Sequence, residues 1–305
     1  MDRAFLPRRV GIVGLGLIGG SLALALRQAG YAADIRAWDP DTESLLQGVK
    51  GGVIDAPSSS LEELVATVDV AILAAPPQAC EALLLDMLRV PGRAGVITDT
   101  ASVKGVLCNA VGTLNAEAAS AYVPGHPIAG SERSGVGAAR ADLFRQHRVI
   151  LTPLPSTDAA ALDCVRTLWT SAGAEVSTMG VAEHDAVLAA TSHLPHVLAY
   201  ALVDALANVP ESDDIFRFAA GGFRDFTRIA SSDPVMWRDV ALTNRQAILT
   251  ALAAFSRHLD RLRQAIDVGD GEALEATFRS AKAARDAYER RSLVADSRAK
   301  IQGED

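Results

Sequence analysis

From Arg9 onward the chain alternates short apolar runs with longer stretches of mixed character. Val10–Val13, Ile35–Trp38, Val70–Leu73 and Val96–Thr98 are brief, built from Val, Ile, Leu and Ala, and each is followed by turn residues or a helix start. Runs of this kind separated by helices predict βαβ units and a mostly parallel sheet buried on both faces. Tyr122–Val123, Val149–Leu151 and Val176–Thr178 are shorter candidates for later strands. After Gly180 the pattern changes: Val181–Asn208 is rich in Ala and Leu, and Ile248, Leu249, Leu252, Phe255, Leu259, Leu262 and Ile266 recur at helical spacing. An α/β domain over residues 1–180 is therefore expected to precede an all-helical domain over residues 181–305, fraying after about Ala295.

The first strand runs into Gly14-Leu15-Gly16-Leu17-Ile18-Gly19, a G-x-G-x-x-G pattern that opens a helix carrying Leu22, Leu24, Ala25 and Leu26. In that context the glycines permit a tight turn, let the backbone approach a pyrophosphate, and bring helix close to strand. Asp39 ends the second strand 20 residues beyond Gly19, where a carboxylate accepts hydrogen bonds from ribose hydroxyls. The same carboxylate repels a 2′-phosphate, and Pro40 and Asp41 bring no arginine to neutralise one, so NAD is favoured over NADP. The fold class thus sharpens to a Rossmann-type sheet domain followed by helices. Gly14, Gly16, Leu17, Ile18, Gly19 and Asp39 are the candidate cofactor residues. Ala75 and Pro76, after the Val70 strand, fit the nicotinamide side of the crevice, although a helix started by proline explains them equally well.

Composition narrows the function class. At 305 residues the chain is about twice the usual domain length, and although 49% of residues are hydrophobic, no uninterrupted apolar run approaches the roughly 20 residues of a bilayer span. The short basic start, Met1 to Arg9, has no secretory pattern, so a cytoplasmic protein without membrane contact is expected. Cys80, Cys108 and Cys164 are far apart and lack C-x-x-C spacing, which suggests reduced core thiols and no metal site. A net charge of -8 opposes a nucleic-acid-binding face and leaves small-molecule chemistry.

Four polar clusters exceed what the fold requires: Asp99-Thr-Ala-Ser102-Val-Lys104, Gly125-His126-Pro127-Ile128-Ala129-Gly130-Ser131-Glu132, Ser192-His193-Leu194-Pro195-His196, and Gly221-Gly222-Phe223-Arg224-Asp225-Phe226-Thr227-Arg228-Ile229-Ala230. With the glycine fingerprint, in this order and spanning Arg9 to about Arg290, they resemble the prephenate/arogenate dehydrogenase family of tyrosine biosynthesis. The resemblance implies a Rossmann domain plus a helical domain that also makes a homodimer contact. It implies oxidative decarboxylation with NAD, in which hydride leaves the hydroxyl-bearing ring carbon, carbon dioxide leaves the opposite carbon, and the ring becomes aromatic.

By the same resemblance His126 is the catalytic base, a part suited to a neutral imidazole near pH 7. Ser102 is the serine that hydrogen-bonds it, while also being placed to cap a helix beginning near Val103. Arg228 grips the ring carboxylate, and Asp225, three residues earlier, either fixes its direction or is a surface ion pair. Ser192 and His196 lie near the substrate side chain, with Pro195 kinking their helix toward the cleft. His193 shares the face of His196 as either a substrate contact or a packing histidine. Glu132 either closes the pocket entrance or is a solvated loop carboxylate. His147, His184 and His258 receive no role. Thr152-Pro153-Leu154-Pro155 offers no acid to hold arogenate's ammonium, so prephenate is the favoured substrate, with arogenate or dual specificity as the alternative. A β-hydroxyacid dehydrogenase and a non-catalytic dinucleotide sensor are competing readings.

Overall fold

The computed structural model describes residues 8–31, 34–93, 95–131, 133–210 and 212–302. β1 (Arg9–Val13) passes through the glycine turn into α1 (Leu17–Gln28), β2 (Asp34–Trp38), α2 (Thr42–Lys50), β3 (Ala56–Pro57) and α3 (Leu61–Thr67). β4 (Val70–Leu73), α4 (Pro77–Arg89), β5 (Val96–Asp99), α5 (Gly105–Val111), α6 (Ala116–Ser120) and β6 (Tyr122–Val123) follow. The six strands form one parallel sheet of order β3-β2-β1-β4-β5-β6. Strand order reverses between β1 and β4, and a crevice at the carboxyl ends of the strands on either side of such a reversal is where open α/β sheets take ligands.

A second, three-stranded sheet departs from the expectation. β7 (Gly125–Pro127) runs antiparallel to β8 (Arg148–Leu151), which pairs in parallel with β9 (Glu175–Thr178) after α7 (Ala159–Ser171). His126 thus sits on a strand opposite Ile150, not in a loop. Local propensity did not predict this, because Gly-His-Pro contains no strand former; pairing with the β-branched Val149 and Ile150 imposes it.

Side chains of the parallel sheet alternate between two cores. Val10, Ile12, Val70 and Ile72 join one apolar cluster, with α1 and α7; Val13, Ala71 and Leu73 join the other, with α3, α4 and α5. This is the period-two pleat of a sheet covered on both faces. Trp169 is fully buried in the first core, edge-on to Phe144 at 5.1 Å.

Beyond β9 all regular structure is helical: α8 (Val181–Leu188), a π turn (Ala189–His193), α9 (Leu194–Ala207), α10 (Ser212–Arg217), α11 (Gly221–Thr227), a 3₁₀ turn (Arg228–Ser231), α12 (Pro234–Thr243), α13 (Arg245–Asp267) and α14 (Gly271–Gln302). The helical backbone of α14 continues past Ala295. Two compact units divide the chain, Met1–Ile248 and Leu249–Asp305, so the change of pattern at Gly180 is not a break in packing. In the second unit, α14 carries i,i+4 ion pairs Lys282–Asp286 at 2.6 Å and Arg285–Glu289 at 2.9 Å on its wet faces.

The stretch Val181–Ala207 is long and apolar enough to cross a membrane by length and composition. Counting only uninterrupted apolar runs overlooked it, because Glu183, His184, Asp185, Ser192, His193 and His196 break the run without greatly lowering the average. His184 and His193 from this stretch are buried in polar contacts with the rest of the first unit.

Trp169→Ala should lower unfolding stability by about 3–5 kcal/mol through lost burial and an unfilled cavity. Urea denaturation should show a lower midpoint at unchanged slope; a shift worth under about 1 kcal/mol would mean that this core collapses around the gap.

Candidate functional site

The glycine turn divides its labour. Gly14 has φ +94°, and a Cβ there would lie 2.6 Å from the Ala74 carbonyl oxygen, so the loops after β1 and β4 touch at the reversal point of the sheet. A Cβ on Gly19 would lie 2.3 Å from the Gly14 oxygen, so glycine is needed for α1 to close on its strand. Gly16 is different: a Cβ there would meet nothing within 4 Å. Its lack of a side chain serves no packing within the chain and leaves space beside the half-buried Leu17 and Ile18.

α1 begins with no side-chain cap and no acid in its first turn, whereas α2, α3 and α7 are capped by Asp41, Ser60 and Asp158. Unclaimed N–H groups at the start of a helix, next to open space, suit a pyrophosphate. The Asp39 carboxylate accepts from Leu15 N at 2.7 Å and Asp41 N at 2.8 Å, which fixes it against the glycine turn. The cap of α2 is Asp41, so Asp39 is left to face a ribose. Ala75 and Pro76 link β4 to α4; Pro76 occupies the cap position and the Ala75 carbonyl accepts the Cys80 thiol at 3.2 Å. These residues fit a dinucleotide.

A polar cluster occupies the carboxyl ends of β5 and β6. Asp99 and Lys104 are fully buried and paired; the Lys104 ammonium also donates to the Gly125 carbonyl at 2.6 Å. The other Asp99 oxygen accepts Tyr122 OH at 2.6 Å and Gly125 N at 3.3 Å. Both backbone groups of the residue before His126 are thereby held. Nδ1 of His126 lies 2.9 Å from Nε2 of His184, and Nδ1 of His184 lies 2.8 Å from an Asp185 oxygen. Asp185 also accepts Lys104 N at 2.9 Å and Gly105 N at 2.8 Å, capping α5 from another helix.

This chain of contacts sets tautomers. A carboxylate only accepts, so Nδ1 of His184 carries a proton; when Nε2 of His184 is the acceptor in the 2.9 Å contact, Nδ1 of His126 is its donor. Nε2 of His126 then holds a lone pair, and it has no hydrogen-bond partner among the described residues. Burial first, then the charges of Lys104, His184 and His193, hold the His126 imidazole well below the usual histidine range, so it stays neutral. Burial raises the Asp185 carboxyl, but hydrogen bonds from His184, Lys104 and Gly105 outweigh it and keep the group ionised. The arrangement offers one neutral, oriented base.

The remaining predicted residues fall as follows. Ser102 is half-exposed and makes no hydrogen bond to His126, whose ring is oriented by His184; nor does it cap α5, which starts at Gly105 with Lys104 in the cap position. His193 and His196 share Trp237, His196 stacked at 3.5 Å and His193 edge-on at 6.1 Å. Nδ1 of His196 donates to the Ser192 carbonyl at 2.9 Å. Pro195 lies in the first turn of α9, and the irregularity precedes it as the π turn holding Ser192 and His193. π turns often mark functional sites. Arg228 starts the 3₁₀ turn after α11, and its charge helps burial depress His196. Asp225 is exposed and forms no ion pair among the described residues. Glu132 lies outside the described residues.

His184, Asp185, Asn244 and Trp237 carried no signal in the sequence. A His-Asp pair early in an amphipathic helix reads as solvated surface until β5 and β7 are packed against it.

Gly16→Ala should leave stability nearly unchanged and weaken dinucleotide binding roughly tenfold or more, because the backbone must approach the pyrophosphate there. Gly19→Ala should instead lower stability by about 1–3 kcal/mol through overpacking. Calorimetric titration and thermal unfolding separate the two, and equal effects in both assays would contradict the division.

Comparison with known proteins accords with this geometry. Residues 22–178 match the family model described as prephenate dehydrogenase, nucleotide-binding domain, and residues 181–280 match prephenate dehydrogenase, dimerization domain. The chain is 35% identical to the cyclohexadienyl dehydrogenase of Zymomonas mobilis, covering 91% of this chain and 95% of that one. It is 37% identical to the prephenate dehydrogenase of Bacillus subtilis, covering 90% and 74%. The crystal structure of A. aeolicus prephenate dehydrogenase in complex with hydroxyphenyl propionate and NAD+ superposes with a TM-score of 0.79 at 37% identity, covering 88% of this chain and 94% of that one. The chain belongs to the prephenate dehydrogenase family, with that family's nucleotide-binding and dimerization domains.

Proposed function

We propose that this protein catalyses the NAD-dependent oxidative decarboxylation of prephenate to 4-hydroxyphenylpyruvate and carbon dioxide. The observation that carries the proposal is the contact chain from His126 through His184 to Asp185, which, with Nδ1 of His126 as donor, leaves its outer nitrogen as an acceptor. NAD, when bound at the glycine turn, supplies the hydride acceptor. The chain's own task is orientation and proton handling. His126 Nε2 takes the ring hydroxyl proton as that oxygen becomes a carbonyl oxygen, and loss of carbon dioxide from the opposite carbon then aromatises the ring to the phenol. Arg228 binds the substrate's ring carboxylate, and Ser192 and His196 line its side chain. Ser102, half-exposed and without a hydrogen bond among the described residues, is available to the hydroxyl. Asp225, three residues before Arg228, belongs to the same substrate-side segment.

Residues 1–180 serve as the dinucleotide domain, with Gly14, Gly16, Leu17, Ile18, Gly19, Asp39, Ala75 and Pro76 at the cofactor, and residues 181–305 as the substrate and dimer-forming domain. The working protein is a cytoplasmic homodimer without nucleic-acid or membrane partners. A second reading, dual use of prephenate and arogenate, is favoured by the likeness to a cyclohexadienyl dehydrogenase.

NADH absorbance in assays crossing prephenate and arogenate with NAD and NADP tests the assignment. Turnover should be greatest with prephenate and NAD; NAD binding without NADH from either substrate would end the enzyme reading, and far faster arogenate turnover would reverse the ranking. Because the base works unprotonated and burial lowers its pKa, kcat/KM should stay flat through neutral pH and fall only below the ordinary histidine value of about 6.5. A limb above pH 7 would argue against His126.

His184→Phe keeps a ring but removes the acceptor that fixes His126. Its kcat should fall about 100-fold with NAD affinity unchanged; wild-type turnover would dismiss the relay.

A further inference from the structure

The hydrogen-bond chain that orients His126 does not end at Asp185. The backbone carbonyl of Asp185 accepts from the Asn244 side-chain amide at 2.9 Å, and the same amide nitrogen lies 3.0 Å from Nδ1 of His193. A backbone carbonyl cannot donate, so the group facing it is the NH₂ of Asn244, which has a second hydrogen for His193. Nδ1 of His193 therefore accepts. The ring is buried, 1% exposed, and burial pushes it down to about 4 despite Asp185, so it is neutral and its proton resides on Nε2.

One continuous network thus links two imidazoles and gives them opposite outer edges. His126 presents a lone pair, His193 an N–H, and neither Nε2 has a partner among the described residues. The rings are near enough for His193 to depress His126 electrostatically, and an acceptor and a donor aimed at one oxygen are the complement of a carbinol, whose hydroxyl gives a proton to one and takes a hydrogen bond from the other. As the proton leaves, negative charge grows on the oxygen, and the fixed N–H interacts more strongly with it than in the ground state.

We propose that His193 is a second catalytic imidazole: its Nε2–H donates to the reacting oxygen of the substrate while Nε2 of His126 takes the proton, with Asn244 as the positioning residue that imposes the His193 tautomer. The assignment rests on the oxidation of a ring carbinol described above. It makes the His193 ring a hydrogen-bond donor and not packing against Trp237, which it meets edge-on.

Two substitutions separate these roles. His193→Phe preserves a ring beside Trp237 but has no donor; His193→Gln sacrifices the ring and returns an N–H near the position of Nε2. With prephenate and NAD, His193→Phe should lower kcat roughly 100- to 1,000-fold with a smaller change in KM, the effect of deleting one oxyanion donor, and His193→Gln should regain about tenfold or more. A packing role predicts the reverse order. Phe turnover within about threefold of wild type, or Gln no faster than Phe, would overturn the proposal.

Long-range ¹⁵N–¹H correlation on labelled wild-type protein reads the tautomer directly, with through-bond connection of the ring to its own backbone assigning the His193 signal. A proton on Nε2 is expected; a proton on Nδ1 overturns the proposal even if neither variant folds. This readout needs no substrate, so a wild-type protein inactive on prephenate would defeat the proposed function while the His193 tautomer is still decided.

Discussion

Asp185 holds the site together. Its carboxylate takes the ring proton of His184 and the first N–H groups of α5, and its carbonyl takes the amide of Asn244. One residue on a helix from the all-helical part of the chain therefore caps a helix of the sheet domain, fixes the ring that fixes His126, and anchors the amide facing His193. Hydrogen bonds to an ionised group are stronger than neutral ones, and they are least screened where water is excluded. The precision of the site follows from that single, heavily shared acceptor.

Beneath it, the Asp99–Lys104 pair meets a different requirement. Removing two charges from water costs several kcal/mol for each ion, and a buried pair is weak evidence for stability. Here the contacts are spent on geometry: Lys104 and Asp99 together hold the carbonyl and N–H of Gly125, and Tyr122 donates to the same Asp99 oxygen as the Gly125 N–H. The strand carrying His126 is thereby set at a fixed height above the end of β5. Breaking such a pair by removing one partner typically costs about 3–5 kcal/mol, because the other charge is left buried and uncompensated.

The two ends of the chemistry are built on different principles. The dinucleotide side relies on what is missing: a side chain at Gly16 and a cap on α1. The proton-handling side relies on saturation of its carboxylates: both oxygens of Asp99 and of Asp185 accept hydrogen bonds, and the outer edges of the two rings have no partner among the described residues. A backbone cradle can be written in a short local motif, whereas a saturated network needs contributions from β5, β7, α8, the π turn and the residue after α12.

That difference explains what could be read from the chain alone. Strands β1, β2, β4 and β5, the glycine turn with Asp39 and the helical remainder follow from local pattern, because pleat alternation, helical spacing and φ-positive glycine are properties of neighbouring residues; His126 was singled out through the family resemblance. The partnership of His126 with His184 instead of Ser102, the strand conformation of Gly125–Pro127 and the facing of His193 by Asn244 were decided only by tertiary packing. Each joins groups more than 20 residues apart, and no local rule carries the direction of a ring nitrogen or the pairing of a strand across that distance.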